Sequence, residues 1–414
     1  MFSQLKNTYR EFPSQFWIIV LARFIDGIGN TLLFPFFALY ITQRFEVGMT
    51  QAGIMLGLSS LAGLFGNMLG GALADKFGRR SIIIYGLVFS AISAISLGLV
   101  NDLSVMYVVS ILVGLIGSIG HPAHGAMVAD ILPEDKRQEG FGLLRIVGNM
   151  AWLVGPTIGG FVASKSFLAL FIADAVFSCI VAGIVFLFLP ESKPQPHPNE
   201  EPDTLLKTIS GYGTVMRNFA FMAFIVASIL MTTVYQQMYN SLSVYLRDNH
   251  GIDPQGYGLL LSTSAITVIL FQLFVTKLIK RQPPFIMMGL GAIFYSIGFM
   301  LFGVVAQFAL FAMNIFIITI GEMIIMPVSQ ALVASFAPAE MRGRYMAFSG
   351  MTWLIPATLG PGLAGYILDN YNPNLLWYLG GILCIVAASS FYLLHIRIGA
   401  REQFISQKQE ASTA

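Results

Sequence analysis

The sequence predicts an all-α integral membrane protein in which 12 transmembrane helices form two pseudo-symmetric six-helix bundles. Hydrophobic residues make up 56% of the 414 residues and charged residues only 11%, whereas soluble domains contain about 25% charged residues. Twelve stretches are long and apolar enough to cross about 30 Å of hydrocarbon. The second half of the chain also repeats the first half at a constant offset, which predicts two related bundles.

Each span is predicted from an apolar run of about 20 residues. The predicted starts, in chain order, are Phe16, Thr50, Ser81, Ser104, Gln138, Phe167, Asn218, Pro254, Phe285, Gln307, Arg342 and Leu375. Basic residues precede the first run, but no small-residue cleavage site follows it. We therefore predict an uncleaved first helix rather than a signal peptide.

Lysine and arginine residues are concentrated at the termini and on every second connection between spans. These segments contain 18 such residues, whereas the alternate connections contain only Arg44, Lys165 and Arg247. The positive-inside rule then predicts that both termini and the central connection are cytoplasmic. We expect a multi-pass protein of the cell inner (plasma) membrane, surrounded by membrane lipid.

Identical residues recur along the chain at an offset of about 205 positions without a gap. The matched pairs include Tyr40 with Tyr245, Gly53 with Gly258, Pro122 with Pro327, Arg137 with Arg342, Gly155-Pro156 with Gly360-Pro361, and Gly160 with Gly365. The repeat predicts bundles over residues 1–189 and 218–398, a cytoplasmic linker over 190–217 and a cytoplasmic tail over 399–414. The proline-rich start of the linker predicts a tether without chemistry of its own.

A short charged hairpin joins the second and third predicted spans. It runs from Gly71 through Asp75-Lys76 to Gly78-Arg79-Arg80, and it is too charged to lie in lipid. We expect Gly71 to let a neighbouring helix approach closely and Gly78 to permit the tight turn. Asp75, at a helix end, can face the positive N-terminus of another helix. The alternative is a solvated basic loop that serves topology only.

The spacing of this hairpin resembles the cytoplasmic loop between helices 2 and 3 of the major facilitator superfamily of secondary transporters. The resemblance extends over nearly the whole chain, and it implies alternating access to a substrate cavity between the halves. It further implies that Asp75 faces the eleventh span, which begins near Arg342, and that Arg79 pairs with Asp130 on the fourth span. Such contacts would act as a gate that breaks when the cytoplasmic side opens.

The fifth span carries Gly155-Pro156-Thr157-Ile158-Gly159-Gly160. This segment is similar to the antiporter signature of proton-coupled drug exporters in the superfamily, although Ala151 stands where that signature has another glycine. The resemblance implies export rather than import. The structural alternative is that the Gly-Pro pair only bends the helix and the paired glycines only allow tight packing.

Ionisable residues inside apolar spans are candidates for proton coupling, because each costs about 2.5 to 3.5 kcal/mol at mid-bilayer unless it is paired or hydrated. Arg23, Asp26 and Asn30 share one face of the first span, and Asp26 can load and release a proton. The alternative is a static Arg23–Asp26 pair that locks the helix. Glu322, on the tenth span, is the second proton candidate.

The fourth span departs from the drug-exporter pattern, because Ser110 stands where a basic residue is usual. His121 and His124 lie three residues apart on the same span. Histidine titrates near neutral pH, so the pair can serve as a proton relay or as a ligand-binding group. A purely structural polar pair near Pro122 is the alternative. Without a third ligand, the two histidines do not predict a metal site.

Two stripes of polar and aromatic residues predict substrate contacts. With Asn30, the substrate-binding candidates are Arg145, Asn149 and Trp152 on the fifth span and Tyr235, Gln236, Tyr239, Asn240 and Ser243 on the seventh. Aromatic rings beside a few amides suit an amphipathic organic molecule better than a sugar or an inorganic ion. The alternative for each stripe is ordinary helix packing.

Several function classes are disfavoured. The chain contains no Gly-x-x-x-x-Gly-Lys-Ser/Thr loop, so ATP is not predicted to power transport, and no nucleophile-base constellation predicts an enzyme. We predict no cofactor, no nucleic-acid partner and a monomer. The leading hypothesis is proton-coupled efflux of amphipathic, drug-like small molecules. The alternatives are an exporter or facilitator of a specific metabolite such as a sugar or a lipid, or a non-transporting membrane sensor.

Overall fold

The structure, a computed structural model, describes residues 11–192, 213–338 and 341–413. Within these ranges twelve helices have the length and hydropathy of membrane spans. They are α1 Ser14–Arg44, α2 Met49–Phe77, α3 Arg79–Leu99, α4 Leu103–Ile131, α5 Glu139–Ala163, α6 Phe167–Phe188, α7 Phe219–Asn240, α8 Pro254–Ile279, α9 Pro284–Phe302, α10 Phe308–Phe336, α11 Arg344–Asn370 and α12 Asn374–Arg397. Every span begins within two residues of its predicted start.

Three spans are interrupted, and in each case the sequence supplies a reason. Helix α1 consists of Ser14–Leu33, a 3₁₀ turn at Phe34–Phe36 that contains Pro35, and Phe37–Arg44. Helix α4 consists of Leu103–Gly117 and Gly120–Ile131, and its second piece contains Pro122. Helix α11 consists of Arg342–Ser349 and Met351–Asn370, which meet at Gly350.

Besides α11, whose helix begins two residues before its span, two helices differ in length from their spans. Helix α5 begins before the membrane span, at Glu134, and α12 continues beyond it to Thr413. The predicted boundary between bundle and tail at residue 398 therefore lies inside one continuous helix. Helix formation does not stop where the apolar run stops, because a polar sequence without proline can extend the same backbone hydrogen bonding, and the single Gly399 does not end it.

The outer surface of the spans is apolar. Leu187, Leu273 and Phe274 are among many large hydrophobic side chains that are mostly exposed. Exposed leucine and phenylalanine along several turns of a helix is typical of a lipid-facing surface, because lipid replaces water as the solvent there. The protein is therefore a multi-pass membrane protein.

The chain divides into two compact units. Unit 1 comprises residues 1–198, 239–265 and 361–365, and unit 2 comprises 199–238, 266–360 and 366–414. In unit 1, α1 packs on α5 and α6, α2 packs on α4, and α3 packs on α6. In unit 2, α9 packs on both α10 and α12. The units do not coincide with the predicted bundles, whose boundaries remain a prediction. Most of the predicted linker, residues 193–212, lies outside the described residues.

Candidate functional site

The turn between α2 and α3 is built around Gly78. This residue has a φ of +99°, which only glycine adopts without strain. The turn brings two carboxylates to one guanidinium: Arg79 lies 3.1 Å from Asp75 and 3.1 Å from Asp130 at the end of α4. The predicted Arg79–Asp130 pair is therefore present. The side chain of Arg79 is only 12% exposed, whereas that of Asp75 is 73% exposed.

Residues just after α6 complete this cluster. The Glu191 carboxylate accepts a hydrogen bond of 2.7 Å from the backbone N–H of Arg79, the first residue of α3. It therefore caps the positive end of that helix. The Ser192 hydroxyl donates a hydrogen bond of 3.2 Å to Asp130. We call Asp75, Arg79, Asp130, Glu191 and Ser192 the turn cluster.

The sequence-based prediction assigned no chemistry to the residues after α6, so it missed Glu191 and Ser192. The signal available was an acidic residue immediately after the end of α6. Because α3 begins at the same end of the bundle, such a carboxylate is well placed for the positive end of α3.

Two other members of the predicted gate have different roles in the structure. A Cβ placed on Gly71 meets nothing within 4 Å, whereas one placed on Gly70 would lie 2.9 Å from the Cα of Ile119 on α4. The prediction that Gly71 lets a helix approach is thus wrong, because adjacent residues of a helix point about 100° apart. Arg80 donates to the carbonyl of Phe186 and lies over its ring at 5.2 Å, so it fixes α3 to α6.

The predicted partner of Asp75, Arg342, has its side chain outside the described part of the chain. Its counterpart in the repeat, Arg137, is described. The Nε of Arg137 donates to the carbonyls of Ala129 at 3.0 Å and Leu132 at 3.3 Å. It therefore satisfies carbonyls that the end of α4 leaves unpaired.

The glycines of the predicted antiporter signature lie in contact with α1. A Cβ on Gly155 would meet the side chain of Thr31, and one on Gly159 would meet the carbonyl of Leu32. The Thr31 hydroxyl donates to the carbonyl of Ala151 at 3.0 Å, which adds a polar contact to this tight packing. Close approach of two helices increases dispersion contact where lipid supplies no hydrophobic driving force.

The remaining glycine of the signature, Gly160, lies in contact with the start of α8. A Cβ on Gly160 would lie 3.2 Å from the Cα of Gly258. The corresponding residues of the repeat form an equivalent contact, because a Cβ on Gly365 would lie 2.5 Å from the backbone nitrogen of Thr50 on α2. All of these residues belong to unit 1. The same crossing of two helices thus occurs twice.

Four of the candidate residues meet in a cavity of about 290 Å³ within unit 1. Arg23 of α1, His121 and His124 of α4, and Arg145 of α5 line it. The remaining lining residues are uncharged: Ile19, Gly125, Val128, Phe141 and Leu144. From the sequence, we predicted that Arg145 contacts the substrate and that the other three residues take part in proton coupling. The structure brings all four to one cavity, and we call it the basic cavity.

Asp26 lies beside the basic cavity. Its carboxylate lies 3.6 Å from the guanidinium of Arg23, and its side chain is 14% exposed. The Asn30 amide donates to the carbonyl of Asp26 at 3.0 Å. Asp174 of α6 lies against the same helix, three residues further along, because a Cβ on Gly29 would lie 2.8 Å from its carboxylate oxygen. Asp174 is buried, so it does not snorkel to the membrane surface.

The predicted stripe on the seventh span is divided in the structure. Helix α7 ends at Asn240, and Ser243 belongs to a separate short helix, Leu242–His250. The predicted placement of Ser243 on α7 is therefore wrong, because an apolar sequence does not reveal the break at Ser241. Asn240 and Ser243 are buried. They line neither the basic cavity nor the cavity of unit 2 that is described next. Tyr239 packs edge-on against Trp152 of α5 with ring centroids 4.9 Å apart.

Unit 2 contains a second cavity, of about 310 Å³, and none of the described residues that line it is charged. Tyr235 stacks on Tyr295 with centroids 5.3 Å apart and meets Trp353 edge-on at 6.2 Å. Gln236 donates to the carbonyl of Trp353 at 3.1 Å. The other lining residues are Phe224, Ser228, Met231, Thr232, Ile325, Met326, Ser329, Gln330, Val333, Met346, Ser349, Gly350 and Thr352. We call this the aromatic cavity, and sequence patterns missed Tyr295 and Trp353.

Two further candidates lie outside these cavities. Glu322 of α10 is partly buried and does not line the aromatic cavity. Asn149 is exposed on α5, one turn beyond Arg145. The part of the chain that the structure describes contains no group of three or more His, Cys, Asp and Glu residues that could hold a metal ion.

The family follows from a comparison with known proteins. Residues 19–325 and 236–413 match the Major Facilitator Superfamily. The chain belongs to this superfamily. It is similar to an uncharacterised MFS-type transporter, YttB, of Bacillus subtilis, with 27% identity over 97% of this chain and 100% of the relative. Membership of the superfamily makes it a transporter of small molecules rather than an enzyme.

Other relatives have named activities. A Na⁺, Li⁺, K⁺/H⁺ antiporter of Planococcus maritimus is 24% identical over 83% of this chain and 87% of its own. The multidrug resistance protein MdtH of Shigella dysenteriae is 23% identical over 89% of this chain and 91% of its own. Among solved structures, a POT family transporter in complex with 5-aminolevulinic acid has a TM-score of 0.79 at 17% identity, covering 94% of this chain and 99% of that one. This likeness shows the superfamily fold.

Proposed function

We propose that the protein is a proton-coupled secondary transporter that exports amphipathic small molecules from the cell by alternating access. The observation that carries the proposal is the Arg23–Asp26 pair, which lies inside an apolar span and beside the basic cavity. A carboxylate is costly in that position. It is useful there if it exchanges a proton for a substrate during each cycle.

The two cavities support an organic rather than an inorganic substrate. The aromatic cavity has stacked rings and thioethers but no charge in its lining, which suits an apolar ring system. Arginine side chains in the basic cavity would repel a monovalent metal ion. We therefore carry over from the relatives antiport and drug-like substrates, but not transport of Na⁺, Li⁺ or K⁺.

In this proposal the monomer is the working unit, the termini are cytoplasmic and the protein lies in the plasma membrane. Inward movement of one proton supplies about 2.3 kcal/mol per 100 mV of membrane potential. The turn cluster is the gate on the cytoplasmic side, and the Gly160–Gly258 and Gly365–Thr50 contacts belong to the opposite side.

The test uses inverted membrane vesicles energised to make their interior acidic. A substrate of an exporter enters such vesicles in exchange for protons, and a pH-sensitive dye reports the loss of the gradient. The probes are tetraphenylphosphonium, 2-naphthoate, NaCl and KCl. We expect an organic probe to dissipate the gradient with the native protein and to lose this effect with Asp26→Asn and Glu322→Gln.

Glu134→Gln is the matched control, because this carboxylate is 90% exposed and lies before the span of α5. It should behave as the native protein. Full coupling in both the Asp26 and Glu322 variants would contradict the proton assignments. A response to NaCl or KCl alone would replace drug export by inorganic cation exchange.

A further inference from the structure

We infer that the basic cavity binds the acidic group of an amphipathic substrate, so that the molecules exported are organic acids or zwitterions rather than purely cationic compounds. This inference rests on the proposed function, because it names the substrate class for that function. It starts from the composition of the cavity wall. Among the residues that the structure describes, two arginines and two histidines line the cavity, and no aspartate or glutamate does.

The donors come from three different helices. Arg23 is on α1, the histidines are on the second piece of α4, and Arg145 is on the first half of α5. Each guanidinium presents a planar fork of N–H groups that matches a carboxylate, sulfonate or phosphate. Each neutral imidazole adds one N–H donor. Convergence of such groups from separate helices lets several donors reach one anion in a cavity that stays accessible, since Arg23, His121 and Arg145 are exposed.

The nearest carboxylates leave the cavity basic. Asp26 lies 3.6 Å from Arg23 and balances that charge without lining the cavity. Asp174 lies against Gly29 of α1 and does not line the cavity. The described lining residues that α4 and α5 contribute include no acid. The wall therefore favours a negative group over a positive one.

The rest of the wall suits the hydrocarbon part of the same molecule. Ile19, Val128, Phe141 and Leu144 line the cavity beside the basic groups. A volume of about 290 Å³ accommodates a small aromatic acid. A charged site flanked by apolar side chains selects amphipathic acids over inorganic anions, because only the former bury apolar surface on binding.

The test measures binding of 2-naphthoate and of its neutral analogue 2-naphthamide to the purified full-length protein by equilibrium dialysis. The two probes share one ring system and differ only in charge. We expect the native protein to bind naphthoate at least about tenfold more tightly than naphthamide, since a charge-assisted pair contributes that much. Added salt should weaken naphthoate binding and leave naphthamide binding nearly unchanged.

Variants assign the effect to the cavity. Arg145→Gln should weaken naphthoate binding about tenfold to a hundredfold, and Arg145→Lys should weaken it less because the charge remains. His124→Gln, in the same wall, should weaken naphthoate binding more than naphthamide binding. Arg247→Gln is the matched control, because Arg247 is in unit 1 but pairs with Asp248 and Thr42 away from the cavity. Gel filtration shows that each variant is folded.

Equal affinity for the two probes, or naphthoate binding that Arg145→Gln leaves intact, would overturn the inference. The anionic group of a lipid has the same chemistry, so phosphatidylglycerol is the competing ligand. If that lipid binds at Arg145 and naphthoate does not, the cavity is a lipid site and the inference is wrong. Proton-coupled export of tetraphenylphosphonium without naphthoate binding would leave the proposed function intact and overturn only the inference.

Discussion

The guanidinium of Arg79 lies 3.1 Å from the carboxylate of Asp130 and joins the start of α3 to the end of α4. Both side chains are largely shielded from solvent, at 12% and 19% exposed. Removing the Asp130 charge would leave the guanidinium with only the mostly exposed Asp75 as a carboxylate partner. Removing the Arg79 charge would leave the Asp130 carboxylate with only the Ser192 hydroxyl. The Arg79–Asp130 pair is therefore a better candidate for a stabilising ion pair than those on the open surface.

Asp130→Asn should lower the stability of the purified protein by about 1 to 3 kcal/mol, since the shielded guanidinium of Arg79 then keeps only the exposed Asp75 as a carboxylate partner. Glu191→Gln should have a smaller effect of about 1 kcal/mol, because the amide oxygen can still cap α3. Thermal unfolding in detergent measures both. Glu134→Gln, in an exposed pair with Arg137, is the control and should shift the midpoint little. If Glu134→Gln lowered the thermal stability more than Asp130→Asn, solvent exposure would not determine how much each ion pair contributes to stability.

Neighbouring glycines of α2 provide a matched steric test. Gly70→Ala should reduce the yield of folded protein, because the new Cβ would overlap the backbone of α4 at Ile119. Gly71→Ala faces open space and should be neutral or stabilising by about 0.5 to 1 kcal/mol, since alanine favours helix. Gel filtration and thermal unfolding measure the difference. The opposite order of effects would show that α2 is rotated from the position described.

The aromatic cavity predicts where an aromatic probe binds. Trp353→Ala should weaken binding of 2-naphthamide about tenfold, because the Trp353 ring packs edge-on against Tyr235 at the cavity. Tyr371→Ala removes another exposed ring, which contacts Tyr366 outside the cavity, and should leave binding unchanged. Equilibrium dialysis with radiolabelled probe distinguishes the two variants. Equal losses would indicate non-specific binding to aromatic surface.

The short helix after α7 predicts a pH effect outside the membrane spans. Burial lowers the pKa of the His250 imidazole below its usual value of 6.5. The folded state thus binds this proton less readily than the unfolded chain. The free energy of unfolding therefore keeps the full contribution of neutral His250 above pH 6.5 and loses it progressively as the pH falls below 6.5. Between about pH 7.5 and pH 5.5, His250→Gln should lose less thermal stability than the native protein. An identical loss in both proteins would exclude a contribution from His250.

The distribution of basic residues predicts which connections face the cytoplasm. In a Cys179→Ser, Cys384→Ser background, Glu46→Cys should react with a membrane-impermeant maleimide in intact cells. Gln282→Cys should react only after the membrane is opened. Both positions are exposed in connections between spans, so accessibility alone does not separate them. The reverse labelling pattern would invert the topology.

The spans could be predicted almost to the residue, because charged or proline-containing connections bound most of the apolar runs. The Arg79–Asp130 pair was also predictable from the resemblance, since spacing and charge both specify it. Interruptions were harder to predict, and Ser243 was placed on α7 although that helix ends at Asn240. An apolar run indicates that a segment contacts lipid. It does not indicate a break such as the one at Ser241, which depends on how the following residues pack.

In the candidate site, too, some features could be predicted from the sequence and others depend on packing. Arg23, His121, His124 and Arg145 were each recognised as unusual inside a membrane span, but their convergence in one cavity depends on the packing of three helices. Periodicity along one helix cannot supply that information. Gly71 illustrates a finer limit, because the motif contains two adjacent glycines and only the helix rotation decides which one faces α4.

The contacts of Glu191 and Ser192 have a practical consequence for protein engineering. These two residues attach the end of α6 to the start of α3 and to Asp130. A fluorescent reporter inserted between Pro190 and Glu191 would pull the carboxylate away from its amide. The same reporter inserted after Lys193 would leave both anchors in place, so that position is the better one for a probe that follows the protein in living cells.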